Sequence, residues 1–178
     1  MESLIISRFK EAIRDVKDFP KEGIIFKDIT PILSDSNLSK EVLALLKNQV
    51  NGLKIDAVVG IESRGFLFGM LLSQALEVPF IPIRKKGKLP YKTLSYRYDL
   101  EYGSAEVEMH VDALQKGMSV LIHDDLLATG GTAAAAAELS IQGGANISAF
   151  SFLIDLEFLQ GKKMLEKYSD KIFSLVTY

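Results

Sequence analysis

The sequence has 178 residues, a net charge of −2, a hydrophobic fraction of 48% and no cysteine. These values predict one soluble domain over residues 1–178 and exclude disulfides, thiolate metal sites and a cysteine nucleophile. No apolar run reaches the roughly 20 residues of a membrane span, so we expect no membrane as partner. The N-terminus lacks a signal-peptide pattern, so we expect a cytoplasmic protein. Because the net charge is near zero, we do not expect a nucleic acid as partner.

The first half of the chain alternates helical and strand patterns. Residues 2–17 place apolar side chains at helical spacing, and Asp18-Phe19-Pro20 ends this predicted helix because the residue before a proline avoids the α region. The later predicted elements are a short apolar piece at 23–28, a helix at about 38–50, a strand at 57–61, a turn at 62–65, a helix at 66–76 and a strand at 78–83. Both strands are apolar, as expected of strands buried in a sheet.

Residues 84–103 differ from the rest of the chain in composition. This stretch is rich in lysine, arginine and tyrosine and shows no clear period. Such a run predicts a long basic loop, and loops of this length are commonly functional. A solvated charged loop without a role is the plainer interpretation, and composition alone leaves it open.

The second half of the chain returns to the alternation of strands and helices. The predicted elements are strands at 104–111, 118–123 and 147–154 and helices at about 131–142 and 155–167. Strands that alternate with helices predict an α/β fold, with a central, mainly parallel sheet flanked by helices on both faces. Ligands of such sheets bind beyond the carboxyl ends of the strands, where residues 62–65 and 124–125 are expected.

The segment Val120–Thr132, VLIHDDLLATGGT, joins a buried strand to a helix through two carboxylates and a glycine turn. A turn of small residues at a helix N-terminus directs several backbone N–H groups at one point, which suits a phosphate. Asp124 and Asp125 stand directly before this turn and can accept hydrogen bonds from a pair of hydroxyls. Phosphate beside a diol indicates a ribose phosphate, although a glycine pair alone also fits a tight strand–helix connection.

This segment closely resembles the phosphoribosyl-diphosphate motif of the type I phosphoribosyltransferases. Further segments, in order and at similar spacing, resemble the adenine phosphoribosyltransferases within that family: FPKEGIIFKDITPIL (19–33), GIESRGFLFG (60–69), RKKGKLP (84–90) and EYGSAEVEMH (101–110). The resemblance covers nearly the whole chain. It implies the type I phosphoribosyltransferase fold, with residues 1–35 as a small N-terminal hood that recognises the base and residues 84–103 as a flexible active-site loop.

The resemblance also implies a reaction, purine salvage by transfer of a phosphoribosyl group. Adenine and 5-phosphoribosyl 1-diphosphate would give AMP and diphosphate. Magnesium is the implied cofactor, and it would be held mainly through the diphosphate and water rather than by dedicated protein ligands. A homodimer is the implied assembly.

The resemblance assigns the phosphoribosyl contacts to three parts of the chain. The 5′-phosphate would lie on the loop made by Ala128, Thr129, Gly130, Gly131 and Thr132, and the ribose hydroxyls on Asp124 and Asp125. The diphosphate would be bound by Arg64, in a turn that often contains a cis peptide in this family, and by Lys85 and Lys88. Tyr102 would contact the phosphoribosyl group.

The remaining implied residues act on the base. Backbone groups of Ile25 and Lys27 would read the edge of adenine, while the Phe26 ring and Leu127 would cover its two faces. Glu101 would handle the proton that leaves N7 as N9 attacks, so Glu101 and Arg64 are the implied catalytic residues. Without the resemblance, Glu101 is a surface carboxylate, Arg64 a surface ion-pair partner and Phe26 a core residue.

Two alternative functions stay open at this point. The chain is a phosphoribosyltransferase for another base, such as xanthine, hypoxanthine or orotate, if the segment at 19–33 does not select adenine. It is a non-catalytic regulator that senses phosphoribosyl diphosphate if the acidic pair and glycine loop serve binding alone. The near-neutral charge disfavours a nucleic-acid-binding regulator.

Overall fold

The structure, a computed structural model, describes residues 2–99 and 103–178. The chain divides into two compact units, one that ends at Asn48 and one that runs from Gln49 to Tyr178. The first unit holds helix α1 (Glu2–Ala12), the antiparallel strands β1 (Arg14–Lys17) and β2 (Ile25–Asp28), helix α2 (Thr30–Leu33) and helix α3 (Ser36–Gln49), whose last residue begins the second unit. A single domain over the whole chain stays a prediction.

The predicted helix over residues 2–17 is wrong beyond Ala12. Helix α1 ends there, and Arg14–Lys17 form β1, in which Val16 pairs with Phe26 of β2. Ile13 and Val16 fit a helical spacing, but β2 offers this segment a partner for its backbone hydrogen bonds. Pairing with a distant strand therefore overrides the local pattern.

The second unit is built on a seven-stranded sheet with the order β5-β6-β4-β3-β7-β8-β9. Neighbouring strands from β4 through β3, β7 and β8 to β9 are parallel, whereas β6 is antiparallel to both β4 and β5. The α/β fold with a mainly parallel sheet is therefore confirmed. Its elements are β3 (Ala57–Ile61), α4 (Gly65–Leu76), β4 (Phe80–Lys85), β5 (Thr93–Asp99), β6 (Ser104–His110), β7 (Ser119–Leu127), α5 (Gly131–Gln142), β8 (Asn146–Asp155), a 3₁₀ turn (Glu157–Leu159), α6 (Gly161–Leu165) and β9 (Ile172–Thr177).

Two of the predicted elements of this unit are corrected by the structure. The basic stretch at 84–103 is not irregular throughout, because Thr93–Asp99 form β5 along the whole length of β6. The helix predicted at 155–167 is only the 3₁₀ turn and the short α6, and the following strand β9 was not predicted. In β5 the alternation of Leu94, Tyr96 and Tyr98 with polar residues is a strand pattern that the flanking lysines obscure.

The topology opens a crevice between β3 and β7. The connection from β3 through α4 leads to β4, while the connection from β7 through α5 leads in the opposite direction to β8. Right-handed crossovers in opposite directions place α4 and α5 on opposite faces of the sheet. The two strands pair in parallel, with Gly60 beside His123, so their carboxyl ends meet at the switch point where ligands of such sheets bind.

Small residues bring helix α5 close to the sheet. The alanines Ala133–Ala137 are all buried and belong to one core cluster with Val59, Ile122 and Phe150. Burial of this cluster holds the N-terminus of α5 beside the end of β7.

Within residues 2–99 and 103–178, each helix is too short or too polar to span a membrane.

Candidate active site

A cavity of about 440 Å³ lies at the carboxyl ends of β3 and β7. Its wall is formed by the turn after β3, the end of β4, the second half of β7 and parts of β5, β6 and α5. The polar residues that line it are Glu62, Ser63, Arg64, Arg84, Lys85, Tyr98, Asp124, Asp125 and Thr132. The structure thus brings together five residues that the sequence nominated separately: Arg64, Lys85, Asp124, Asp125 and Thr132.

The acidic pair of β7 is held by one arginine and one backbone donor. Arg64 Nε lies 2.9 Å from Asp125 Oδ2, and the Asp125 side chain is 5% exposed. The Asp125 N–H donates to Asp124 Oδ1 at 2.9 Å. Burial and the neighbouring Asp125 carboxylate raise the pKa of Asp124, and burial raises the pKa of Asp125 while Arg64 opposes the rise.

Gly65 lets the turn after β3 approach the acidic pair closely. A Cβ at this position would lie 2.9 Å from the His123 carbonyl oxygen and 2.8 Å from Asp124 Oδ1. Backbone cannot move aside as a flexible side chain can, so any larger residue would push α4 away from β7. The peptide bond between Glu62 and Ser63, just before it, is cis, as the resemblance implied.

Glu62 forms hydrogen bonds with cationic side chains beside the cavity. Its carboxylate accepts hydrogen bonds from Arg84 at 3.0 Å, from Lys88 Nζ at 2.9 Å and from the Lys85 N–H at 2.9 Å. Burial alone would raise the pKa of Glu62, but these donors outweigh it and lower the pKa to about 2. Lys88, which the resemblance assigned to the diphosphate, therefore lies near the cavity, with its ammonium group bonded to Glu62.

The glycine loop forms a second, smaller cavity of about 70 Å³ directly beside Asp124. Gly130 has a φ of +85° and is the N-cap directly before helix α5, and a Cβ there would lie 2.7 Å from the Gly161 carbonyl oxygen. Only glycine fits such a position without strain. The loop over residues 128–132 is thus shaped from behind by the start of α6, a contact that the sequence did not reveal.

Tyr98 reaches the same loop from strand β5. Its hydroxyl lies 3.2 Å from Thr132 Oγ1. The sequence did not predict Tyr98, Glu62 or Arg84 as individual site residues. Glu62 and Arg84 lie within the segments GIESRGFLFG and RKKGKLP, where only their neighbours Arg64, Lys85 and Lys88 were assigned a role. Tyr98 comes to the cavity through the pairing of β5 with β6.

The two leucines after the acidic pair differ in their surroundings. Leu127 is 1% exposed and belongs to the core cluster, with its side chain against Gly161. Leu126 lines the 440 Å³ cavity, and both leucines line the smaller cavity of about 70 Å³. The assignment of Leu127 to a face of the base stays a prediction.

The residues nominated for the base lie in the first compact unit. Ile25 is half exposed, and the Phe26 ring meets the Phe19 ring edge to face at 5.1 Å. Lys27 Nζ lies 2.7 Å from Asp15 Oδ1, so this side chain is engaged within the hairpin. Its engagement leaves the backbone of β2, rather than the Lys27 ammonium, as the candidate reader of a base edge.

Glu101 and Tyr102 lie outside the described residues. Among residues 2–99 and 103–178, no group of three or more histidine, aspartate or glutamate side chains is arranged to hold a metal ion. The cavity nevertheless offers the hard oxygen ligands of Asp124 and Asp125, which suit a metal that keeps most of its water.

Comparison with known proteins identifies relatives of this fold and cavity. Residues 29–176 match the family model described as the phosphoribosyl transferase domain. The adenine phosphoribosyltransferase of Flavobacterium johnsoniae is 52% identical over 96% of this chain and 99% of its own.

Solved structures agree with these sequence matches. The crystal structure of adenine phosphoribosyltransferase from Thermoanaerobacter pseudethanolicus has a TM-score of 0.94 and 46% identity, covering 97% of this chain and 99% of the other. The Saccharomyces cerevisiae enzyme, complexed with an imino-altritol bisphosphate and adenine, has a TM-score of 0.90 and 40% identity, covering 98% of this chain and 99% of the other.

Proposed function

This chain belongs to the phosphoribosyltransferase family, and on that premise we propose that it joins adenine to 5-phosphoribosyl 1-diphosphate, giving AMP and diphosphate. The chain is therefore a pentosyltransferase of purine salvage. The observation that carries this function is the cavity at the β3–β7 switch point, where Arg64, Asp124 and Asp125 meet beside the glycine loop. Formation of AMP from the two substrates by the purified protein, followed by chromatography, tests it; absence of AMP would contradict it.

The 5′-phosphate is assigned to the loop of Ala128, Thr129, Gly130, Gly131 and Thr132. The loop lines its own small cavity and ends in helix α5, twelve residues long. Backbone N–H groups at the start of such a helix, together with its dipole, attract a dianion. The hydroxyls of Thr129 and Thr132 add two further donors.

The ribose hydroxyls are assigned to Asp124 and Asp125, which line the adjoining cavity. A hydroxyl that donates to a carboxylate favours its ionised form, so ligand binding opposes the raised pKa values of this pair. The ionised pair then lies below the ring whose positive charge grows as the bond from C1 to the diphosphate breaks. Fixed negative charge beside a growing positive charge lowers the barrier.

The diphosphate is assigned to the cations Arg64, Lys85 and Lys88. Arg64 and Lys85 line the cavity, and Lys88 is held near it by Glu62. The planar guanidinium of Arg64 suits a diphosphate through paired hydrogen bonds, and its ion pair with Asp125 holds it beside the acidic pair. Tyr102 is a further proposed contact of the phosphoribosyl group.

Magnesium fits this site as a metal carried by the substrate. Asp124 and Asp125 present carboxylate oxygens in the cavity to which the diphosphate is assigned, and such hard oxygen ligands suit a hydrated ion. When bound, the ion would neutralise charge on the leaving group.

Removal of magnesium is expected to abolish turnover. Because no described cluster retains the metal in the free protein, a modest excess of EDTA over Mg²⁺ should suffice, and added Mg²⁺ should restore the initial rate. Full activity in EDTA, measured as AMP formed per minute, would contradict the role of the metal. Binding of adenine alone serves as the control, since it needs no diphosphate.

Recognition of adenine is assigned to the backbone of Ile25 and Lys27 and to the Phe26 ring, and strand β2 exposes Ile25. The implied contact of the base with Leu127 stays a prediction. Adenine presents an amino group at C6 where hypoxanthine and guanine present a carbonyl. A donor–acceptor pattern set by fixed backbone groups therefore rejects the oxo purines.

The ratio of rates for different bases tests this assignment. We expect kcat/KM for adenine to exceed that for hypoxanthine or guanine by roughly 100-fold or more, because the wrong base leaves buried polar groups unpaired. Steady-state assays with each base at fixed phosphoribosyl diphosphate give the ratio. The reverse order would overturn the adenine assignment while leaving the family intact, and it would favour the alternative of another base.

Closure of the segment over residues 89–100, most of which is strand β5, is proposed to exclude water from the activated ribose, which would otherwise be hydrolysed.

A homodimer and a cytoplasmic location stay predictions.

A further inference from the structure

Tyr98 contacts the glycine loop over residues 128–132 through its hydroxyl. The hydroxyl lies 3.2 Å from Thr132 Oγ1. The ring lies beside Gly131, because its carbon Cδ2 is 3.8 Å from the point where a Cβ of that residue would stand. Tyr98 and Thr132 both belong to the wall of the main cavity.

Once a phosphate is bound, the chemistry of hydroxyl groups decides which side chain donates and which accepts in the hydrogen bond between Tyr98 and Thr132. A threonine hydroxyl has one proton to donate and two lone pairs that accept, whereas a phosphate dianion only accepts. Thr132 must then donate to the phosphate, and its lone pairs are left for the Tyr98 O–H. A donor behind Thr132 polarises its O–H bond and strengthens the bond to the anion.

We propose that Tyr98 is a positioning residue for the 5′-phosphate, donating to Thr132 Oγ1 while Thr132 donates to the phosphate. This inference rests on the proposed function, because it needs the phosphate in the loop over residues 128–132. Tyr98 also stands three residues before Glu101 in the chain. The contact therefore connects the loop over residues 128–132 to strand β5, which precedes the proposed general base Glu101 in the chain.

Strand β5 supplies a matched control. Tyr96 lies two residues earlier, on the same face of the strand, and packs against the same core cluster as Tyr98. Of these two tyrosines, Tyr98 is the one whose hydroxyl lies at hydrogen-bond distance from Thr132. Tyr96→Phe and Tyr98→Phe therefore remove the same atom from similar surroundings, and only the second removes the bond to the loop.

The test compares binding of AMP with binding of adenosine, which lacks the phosphate, by isothermal titration calorimetry. Loss of one hydrogen bond predicts an AMP affinity about fivefold weaker in Tyr98→Phe, with adenosine affinity unchanged and Tyr96→Phe close to the unaltered protein for both. In turnover, KM for phosphoribosyl diphosphate should rise about as much while kcat stays within about twofold. In a Thr132→Val background the Tyr98→Phe change should have no further effect.

Two results would overturn the inference. An AMP affinity of Tyr98→Phe equal to that of the unaltered protein would show that the hydroxyl does not serve the phosphate. An equal loss for AMP and adenosine would show that Tyr98 supports packing alone. If the unaltered protein made AMP in either case, only this inference would fail; if it neither bound nor made AMP, the proposed function would fail with it.

Discussion

Replacement of Asp125 by asparagine lowers kcat/KM for phosphoribosyl diphosphate by about 100-fold or more in our expectation. The amide keeps the shape of the side chain but removes the charge that faces both the ribose and Arg64, 2.9 Å away. The lost interaction is strongest in the transition state, when the ring becomes positive, so kcat should fall as well as kcat/KM. Steady-state kinetics with varied phosphoribosyl diphosphate measures both.

Glu41 offers the control for this substitution. It forms an exposed ion pair with Arg8 at 2.7 Å, so Glu41→Gln also breaks a carboxylate–arginine pair, but on the surface. Surface pairs contribute little, and we expect its kinetics to match those of the unaltered protein. Unchanged kinetics of Asp125→Asn would contradict the assignment of the ribose hydroxyls to Asp125.

Replacement of Glu101 by alanine should lower kcat by roughly 100- to 10,000-fold, the range of general acid–base catalysis. The carboxylate is proposed to accept the N7 proton of adenine as N9 attacks, a step that water performs poorly in a closed site. KM for phosphoribosyl diphosphate should change little, since Glu101 is assigned to the base and not to the phosphates. Initial rates at saturating substrates give kcat directly.

Glu106 is the matched residue for that experiment. It stands on β6, five residues after Glu101 in the chain, and pairs with Lys86 at 2.8 Å. Glu106→Ala should therefore leave kcat near its original value. A Glu101→Ala protein as fast as Glu106→Ala would refute the assignment of Glu101 as the base.

The cavity contains acidic and basic side chains that pair with one another. Arg64 pairs with Asp125, and Arg84 and Lys88 pair with Glu62. On the proposed assignments, a diphosphate that binds competes with Asp125 for Arg64 and with Glu62 for Lys88. The ion pairs would then hold these cationic side chains near their binding positions before the substrate enters.

Motifs that are local in sequence were predictable without the structure. Asp124, Asp125 and the loop over residues 128–132 lie in one segment, where a strand, two carboxylates and a glycine turn follow each other. The position of the turn that contains Arg64 was predictable because it follows a buried strand, and the carboxyl ends of parallel strands share one edge. The role of Arg64 towards the diphosphate came from the family resemblance and stays a proposal.

Residues that reach the cavity through distant pairing were not predictable in this way. Tyr98 arrives because β5 pairs with β6, which pairs with β4, and no local pattern fixes that order. The different surroundings of Leu126 and Leu127 were not predictable either, because the strand runs past Asp124 to Leu127 in register with β8. The helix predicted beyond Ala12 failed for the same reason, since β2 decides the conformation of Arg14–Lys17.

A crystal structure of the complex with AMP tests the central claim most directly. We predict the ribose hydroxyls on Asp124 and Asp125 and the phosphate in the loop over residues 128–132. AMP bound elsewhere, with the cavity between β3 and β7 unfilled, would contradict the account.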